Sequence, residues 1–255
     1  MNPKALILQA HGSNRDFDVM NALTLAGADV TGVPLNELKN RKSLLADSQL
    51  LVLPGGFSYA DALGAGKLLA LDLASYFADE VSAFVEAGKP VIGICNGFQA
   101  LVKAGILLME QDQASVKNEA TLTFNAEGHF ECRWVNIKST SQTCIWTKNL
   151  TEVITCPIAH GEGNYQSVKN ISAEQIALTY VHADGAPANG LYPINPNGSA
   201  LDIAGITNAK GNVLGLMPHP ENHIYTWQHP RHTRGETSGS GLKLFENGVN
   251  YAKEL

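Results

Sequence analysis

Apolar and polar positions along the first part of the chain follow two alternating patterns. Short runs are apolar throughout, and the longer stretches between them place apolar residues at helical spacing. Ala5 to Gln9 reads as a first strand, followed by the loop His11-Gly12-Ser13-Asn14 and a helix carrying Phe17, Met20 and Leu23. Asp29 to Val33 gives a second strand, and Leu50 to Leu53 a third that runs into Pro54-Gly55-Gly56. A long helical region is predicted from Asp61 to Ala87, with Leu69, Leu73, Phe77, Val81 and Phe84 among its apolar positions. Val91 to Ile94 is a further strand, and from Gly97 the positions Phe98, Leu101, Val102 and Ile106 return to helical spacing. Strands alternating with helices predict an α/β fold, with a doubly wound, mostly parallel central sheet and helices on both faces. Sites in such folds form beyond the carboxyl ends of the strands.

After Glu110 the pattern changes to an antiparallel, strand-rich extension. Ala120 to Phe124 and His129 to Ile137 alternate and predict a hairpin closing through Asn125-Ala126-Glu127-Gly128. Ile154 to Ala159 and Ile176 to His182 read as strands, and Tyr192 to Ser199 as an ordered loop. Ile203 to Thr207 and Val213 to Met217 predict a second hairpin, which delivers Pro218-His219-Pro220-Glu221 to an edge of the fold. Leu242, Phe245 and Val249 mark a closing helix. No linker divides the chain, so a single domain over residues 1–255 is expected, the extension enlarging the sheet.

A net charge of −6 and the lack of a basic run argue against nucleic acid and anionic membrane as partners. No apolar stretch approaches the roughly 20 residues that span a bilayer, and the N-terminus does not read as a signal peptide. A cytoplasmic location is expected. The four cysteines form no C-x-x-C pair, which fits a reducing compartment where one thiol with a partner histidine is a candidate nucleophile. Cys132, Cys144 and Cys156 read as small core residues.

Cys95 sits where a buried strand turns into a helix, with glycines at 93 and 97 permitting a tight bend. This is a nucleophile-elbow pattern with sulfur in place of oxygen. A following helix N-terminus favours a thiolate, and its N–H groups suit an oxyanion. By itself the pentapeptide fits a packed structural cysteine equally well. A thiolate nucleophile needs a base and an orienting group. His219 and Glu221, two apart around a proline, place carboxylate beside imidazole on one face of an extended backbone. Gly55 and Gly56 let backbone N–H groups approach a ligand, so Gly56 with Asn96 could form an oxyanion hole.

Together these motifs resemble the class I (triad) glutamine amidotransferases. The resemblance rests on Pro54-Gly-Gly-Phe-Ser-Tyr-Ala-Asp, Cys95-Asn-Gly-Phe-Gln, Ala159-His-Gly-Glu-Gly-Asn164, the Tyr192 to Gly205 stretch and Leu216-Met-Pro-His-Pro-Glu221. It covers nearly the whole chain and lies nearest to glutaminase subunits of purine synthesis. It implies Cys95 as nucleophile, His219 as general acid/base and Glu221 as its orienter, with Gly56 and Asn96 as oxyanion-hole amides. It implies Gln99, Phe57, His160, Gly161 and Glu162 as the residues around the substrate glutamine. It also implies ammonia transfer to a large ATP-dependent synthase subunit, with a small bridging subunit, and no cofactor on this chain. No G-x-x-x-x-G-K-[ST] phosphate loop is present, so ATP and Mg are assigned to the partner. Two departures stand out: His11-Gly-Ser-Asn-Arg-Asp16 where the family often has Pro-Gly-Ser-Asn-Cys-Asp, and Tyr59-Ala60-Asp61 where it has Tyr-Gly-Asp.

Two rival readings are a stand-alone cysteine hydrolase and a non-catalytic docking subunit; the intact set of Cys95, His219 and Glu221 speaks against the second. His219, His223, His229 and His232 fall close together, but Pro230, Arg231 and Arg234 interrupt them. No metal site is assigned. Tyr225 to Gly241 reads as a polar loop over the pocket or against the synthase.

Overall fold

The computed structural model describes residues 1–108, 120–168, 171–237 and 239–255. The pattern change after Glu110 falls in 109–119, outside the described residues. Strand β1 (Lys4–Gln9) leads to α1 (Asp16–Leu25) and β2 (Asp29–Pro34), then to the short helices α2 (Leu35–Leu38) and α3 (Ser43–Asp47) and to β3 (Leu50–Leu53). Helices α4 (Lys67–Tyr76) and α5 (Ala78–Glu86) precede β4 (Val91–Ile94) and α6 (Asn96–Lys103). The strand-rich part holds β5 (Ala120–Thr123), β6 (Glu131–Ser139), β7 (Ile154–His160), β8 (Asn164–Ser167), β9 (Ile176–Val181), β10 (Ile203–Thr207) and β11 (Val213–Leu216), and α7 (Leu242–Lys253) closes the fold.

Nine strands form one sheet in the order β2-β1-β3-β4-β11-β10-β9-β6-β7. From β2 to β11 the pairings are parallel, and from β11 onward they are antiparallel. The chain winds outward from β1 to β2, then returns past β1 to β3 and β4. The sheet is doubly wound. β3, β4 and β11 are neighbours buried along their whole length, as continuous apolar runs covered on both faces should be. Among the helices α1 packs with α7, and α4 packs with α6. Among the described residues no helix is long and apolar enough to cross a membrane.

Two predicted elements fold differently. The helical region from Asp61 to Ala87 is broken at Phe77, whose φ of −131° leaves the helical range, and residues 59–61 form a strained turn instead of helix. Burial of Phe77 (0% exposed) fixes this corner. β5 and β6 do not form a hairpin: β5 pairs with β8 in a separate two-stranded sheet, while β6 joins β7 and β9. Alternation sets the face a strand buries, not its partner.

Candidate active site

Parallel pairing brings the carboxyl ends of β3, β4 and β11 to the same edge of the sheet. β4 delivers Cys95, at φ 51° and ψ −105°. A side chain in that conformation is strained. The bend is held because Cys95 N–H donates to Leu216 O on β11 at 2.7 Å and Cys95 O accepts Gln99 N–H at 3.0 Å in the first turn of α6. Gly97 is required by close packing: a Cβ there would lie 2.0 Å from Leu53 O.

β11 delivers His219 and Glu221. Their backbone is not extended, since residues Pro220–Asn222 form a 3-10 turn closed by Asn222 N–H to His219 O at 3.2 Å. The turn still sets His219 Nδ1 2.6 Å from Glu221 Oε1, with His219 3% and Glu221 1% exposed. Burial alone would lower the imidazole pKa. The Glu221 carboxylate and Cys95 outweigh burial and raise it to about 10. At neutral pH the ring is therefore an imidazolium, the partner that stabilises a cysteine thiolate. Gly55 fills the space between the two: a Cβ on it would lie 2.6 Å from His219 Cε1 and 3.4 Å from Cys95 Cβ.

β3 delivers the glycine loop. Gly56, at φ 129°, sits so close to the loop after β1 that a Cβ would meet Asn14 N at 2.6 Å. The His11 to Asn14 loop is a buttress: Phe57 N–H donates to Gly12 O at 3.2 Å and Tyr59 N–H to His11 O at 2.6 Å. Asn96 is the first residue of α6, so the helix leaves its N–H without an internal acceptor. Its side chain ties the loops together, accepting from Ser58 N–H at 3.2 Å and from the Ser58 hydroxyl, and donating to Asp61 Oδ1 at 2.9 Å and Gln99 Oε1 at 3.1 Å.

The turn after β7 forms another wall. Gln99 donates from Nε2 to Glu162 O at 2.6 Å and so braces this wall. Glu162 in turn accepts Ala65 N–H at 3.2 Å and faces Lys103 Nζ at 3.5 Å. His160 is 2% exposed, and Ala159 O lies 3.9 Å from Cys95 Sγ. Gly161 O accepts Asn125 N–H at 2.9 Å. Phe57, 41% exposed, stacks on Phe130 at 6.4 Å between centroids.

The structure thus gathers the predicted site residues at one edge, with Phe57 at its surface. Sequence reasoning missed Ser58, Asp61 and above all Asn125, which it read as a turn residue; only its place beside the His160 turn reveals it. Cys132 is exposed, contrary to expectation, while Cys144 and Cys156 are buried. The loop from Tyr225 is also not simply polar. His223 and His229 are buried and pack edge-on to Trp134 at 5.3 and 5.1 Å. His223 contacts Thr155 O, at the end of β7 remote from His160. Among the described residues no three His, Cys, Asp or Glu side chains gather as a metal site.

A doubly wound sheet with a strained cysteine elbow beside a buried His-Glu pair defines the class: an α/β protein equipped for thiol-based acyl chemistry. The profile described as a CobB/CobQ-like glutamine amidotransferase domain matches residues 2–252, and the chain belongs to that family. It is 52% identical to phosphoribosylformylglycinamidine synthase subunit PurQ of Treponema denticola, over 98% of this chain and 99% of that one. It is 39% identical to the protein of the same name from Dehalococcoides mccartyi, over 99% and 98%. Among solved structures it is similar to a chain of PurLQS from Thermotoga maritima, with TM-score 0.75, 33% identity, and coverage of 98% of this chain and 99% of that one.

Proposed function

We propose that this chain is the glutaminase subunit of a phosphoribosylformylglycinamidine synthase, working in the cytoplasm in de novo purine synthesis. The observation that carries the amidase chemistry is the juxtaposition of the strained Cys95 elbow with the buried His219–Glu221 pair; the full-length likeness to PurQ proteins supports the pathway. The Cys95 thiolate attacks the γ-carboxamide carbon of L-glutamine, and the N–H groups of Gly56 and Asn96 receive the developing oxyanion. The C–N bond breaks as His219 gives its Nδ1-anchored ring's other proton to the departing ammonia. His219, now neutral, takes a proton from water, whose oxygen attacks the γ-glutamyl thioester. Glutamate leaves, and His219 is again protonated. Glu221 holds the ring and balances its charge throughout.

Ammonia passes to a large synthase subunit, with a small bridging subunit in the assembly. ATP and Mg act on that subunit, and this chain binds no cofactor. Reconstitution with the synthase tests the reading. Glutamine-dependent amidine formation should vanish in Cys95→Ala while ammonia-dependent formation persists; retention of glutamine dependence overturns it.

A further inference from the structure

The turn after β7 carries a histidine whose tautomer follows from its hydrogen bonds. Asn125 is 2% exposed, and its Nδ2 donates to the carbonyls of His129 and His160, each at 2.9 Å. Two carbonyl acceptors identify that end of the amide as nitrogen. The other end, Oδ1, accepts Gly163 N–H at 3.0 Å and lies 3.1 Å from His160 Nδ1. An amide oxygen has no proton to give, so Nδ1 carries it. Burial and the neighbouring His219 lower the His160 pKa to about 3, so the ring is neutral and Nε2 keeps its lone pair. Nε2 is buried and has no hydrogen-bond partner among the described residues. Buried acceptors without donors are rare and call for an explanation.

The ring is also fixed in place. A Cβ on Gly163 would lie 2.3 to 2.8 Å from His160 Cε1, Nδ1 and Nε2, so the ring lies flat against a glycine backbone. His160 shares the buried face of β7 with Cys156 and Ile158, and its neighbour Ala159 reaches the nucleophile's sulfur. His219 lies near enough to act on the ring electrostatically.

We propose that His160 Nε2, held in the acceptor tautomer by Asn125, accepts a hydrogen bond from the carboxamide N–H of the substrate at Cys95, so that the site selects an amide and opposes a carboxylate. The proposal rests on the glutaminase reading. A nitrogen that can only accept complements an –NH2 group. It repels the two acceptor oxygens of the γ-carboxylate, which favours release of glutamate. His160 is then a specificity residue, and Asn125 a positioning residue acting through it.

The test uses the assembly with the synthase subunit and compares kcat/KM for L-glutamine with that for L-glutamate γ-methyl ester. The ester forms the same thioester but has no N–H. His160→Leu should lower the amide-to-ester ratio about tenfold, and His160→Gln, which restores an acceptor oxygen, should recover most of it. Asn125→Leu, which releases the tautomer, should lower the ratio in the same direction. A ratio within twofold of wild type in His160→Leu, with both substrates slowed alike, overturns the proposal. A wild-type assembly that cleaves neither substrate overturns the glutaminase reading with it. Nitrogen-15 histidine spectra keep the question open to test if the variants do not fold. At neutral pH the His160 Nε2 signal should be that of an unprotonated nitrogen; a protonated one overturns the proposal.

Discussion

His219 donates its Nδ1–H to Glu221 Oε1 at 2.6 Å across a single proline, with both side chains removed from solvent. An imidazolium so buried depends on its carboxylate. Its pKa is raised from 6.5 to about 10. The folded state therefore holds a proton that the unfolded chain releases above 6.5. The stabilisation is complete below pH 6.5 and is lost as pH rises through 10. The window is read in Cys95→Ala, where no thiolate offsets the proton held by His219, and denaturant unfolding of that variant should become easier as pH rises from 6.5. Glu221→Gln should flatten the dependence and lower the NMR-measured pKa of His219. An unchanged slope in Glu221→Gln would show that the pair is not coupled.

Cys95 lies at φ 51° and ψ −105°, where alanine is as strained as cysteine but glycine is not. Both Cys95→Ala and Cys95→Gly should abolish glutamine hydrolysis. Cys95→Gly should be the more stable of the two by about 1 kcal/mol, read from paired thermal melts. A lower Tm for the glycine variant would remove the case for a strained elbow.

Gly55 is needed for space rather than for backbone conformation, because an added Cβ would lie 2.6 Å from His219 Cε1. Gly55→Ala should push the imidazole away from Cys95 and lower glutaminase kcat at least a hundredfold. Overpacking of this kind destabilises by about 1–3 kcal/mol, so circular dichroism should still report a folded protein. Full activity in Gly55→Ala would contradict the placement of the two side chains.

Ala60 has a φ of 53°, in the left-handed region that favours glycine. Alanine meets that backbone demand only with strain. Ala60→Gly should stabilise the protein by about 0.5–1 kcal/mol, the relief of left-handed strain exceeding the entropy glycine adds to the unfolded chain. Chemical denaturation of the two proteins decides it.

The centre of the parallel half of the sheet was legible in sequence because its strands there are short apolar runs beside glycine and proline, as at Leu50–Leu53 and Val91–Ile94. Cys95, His219 and Glu221 were named from the elbow and His-Pro-Glu patterns together with the family resemblance of the whole motif set, and parallel pairing of β4 with β11 brings them together. What sequence could not decide was anything set by contact at a distance. The apolar spacing from Leu69 to Val85 runs unbroken across Phe77, yet the helix stops there because that ring is buried at a corner. β5 alternates as well with its sequence neighbour as with β8, and tertiary packing chose β8. Asn125 reads as a turn residue until its amide is seen to hold His129, His160 and Gly163 at once. Local patterns fixed the strands and the reactive groups, because backbone sterics and burial act residue by residue. Partners, corners and the tautomer of His160 waited for the tertiary structure, because hydrogen bonds between distant segments form only once the chain has brought them together.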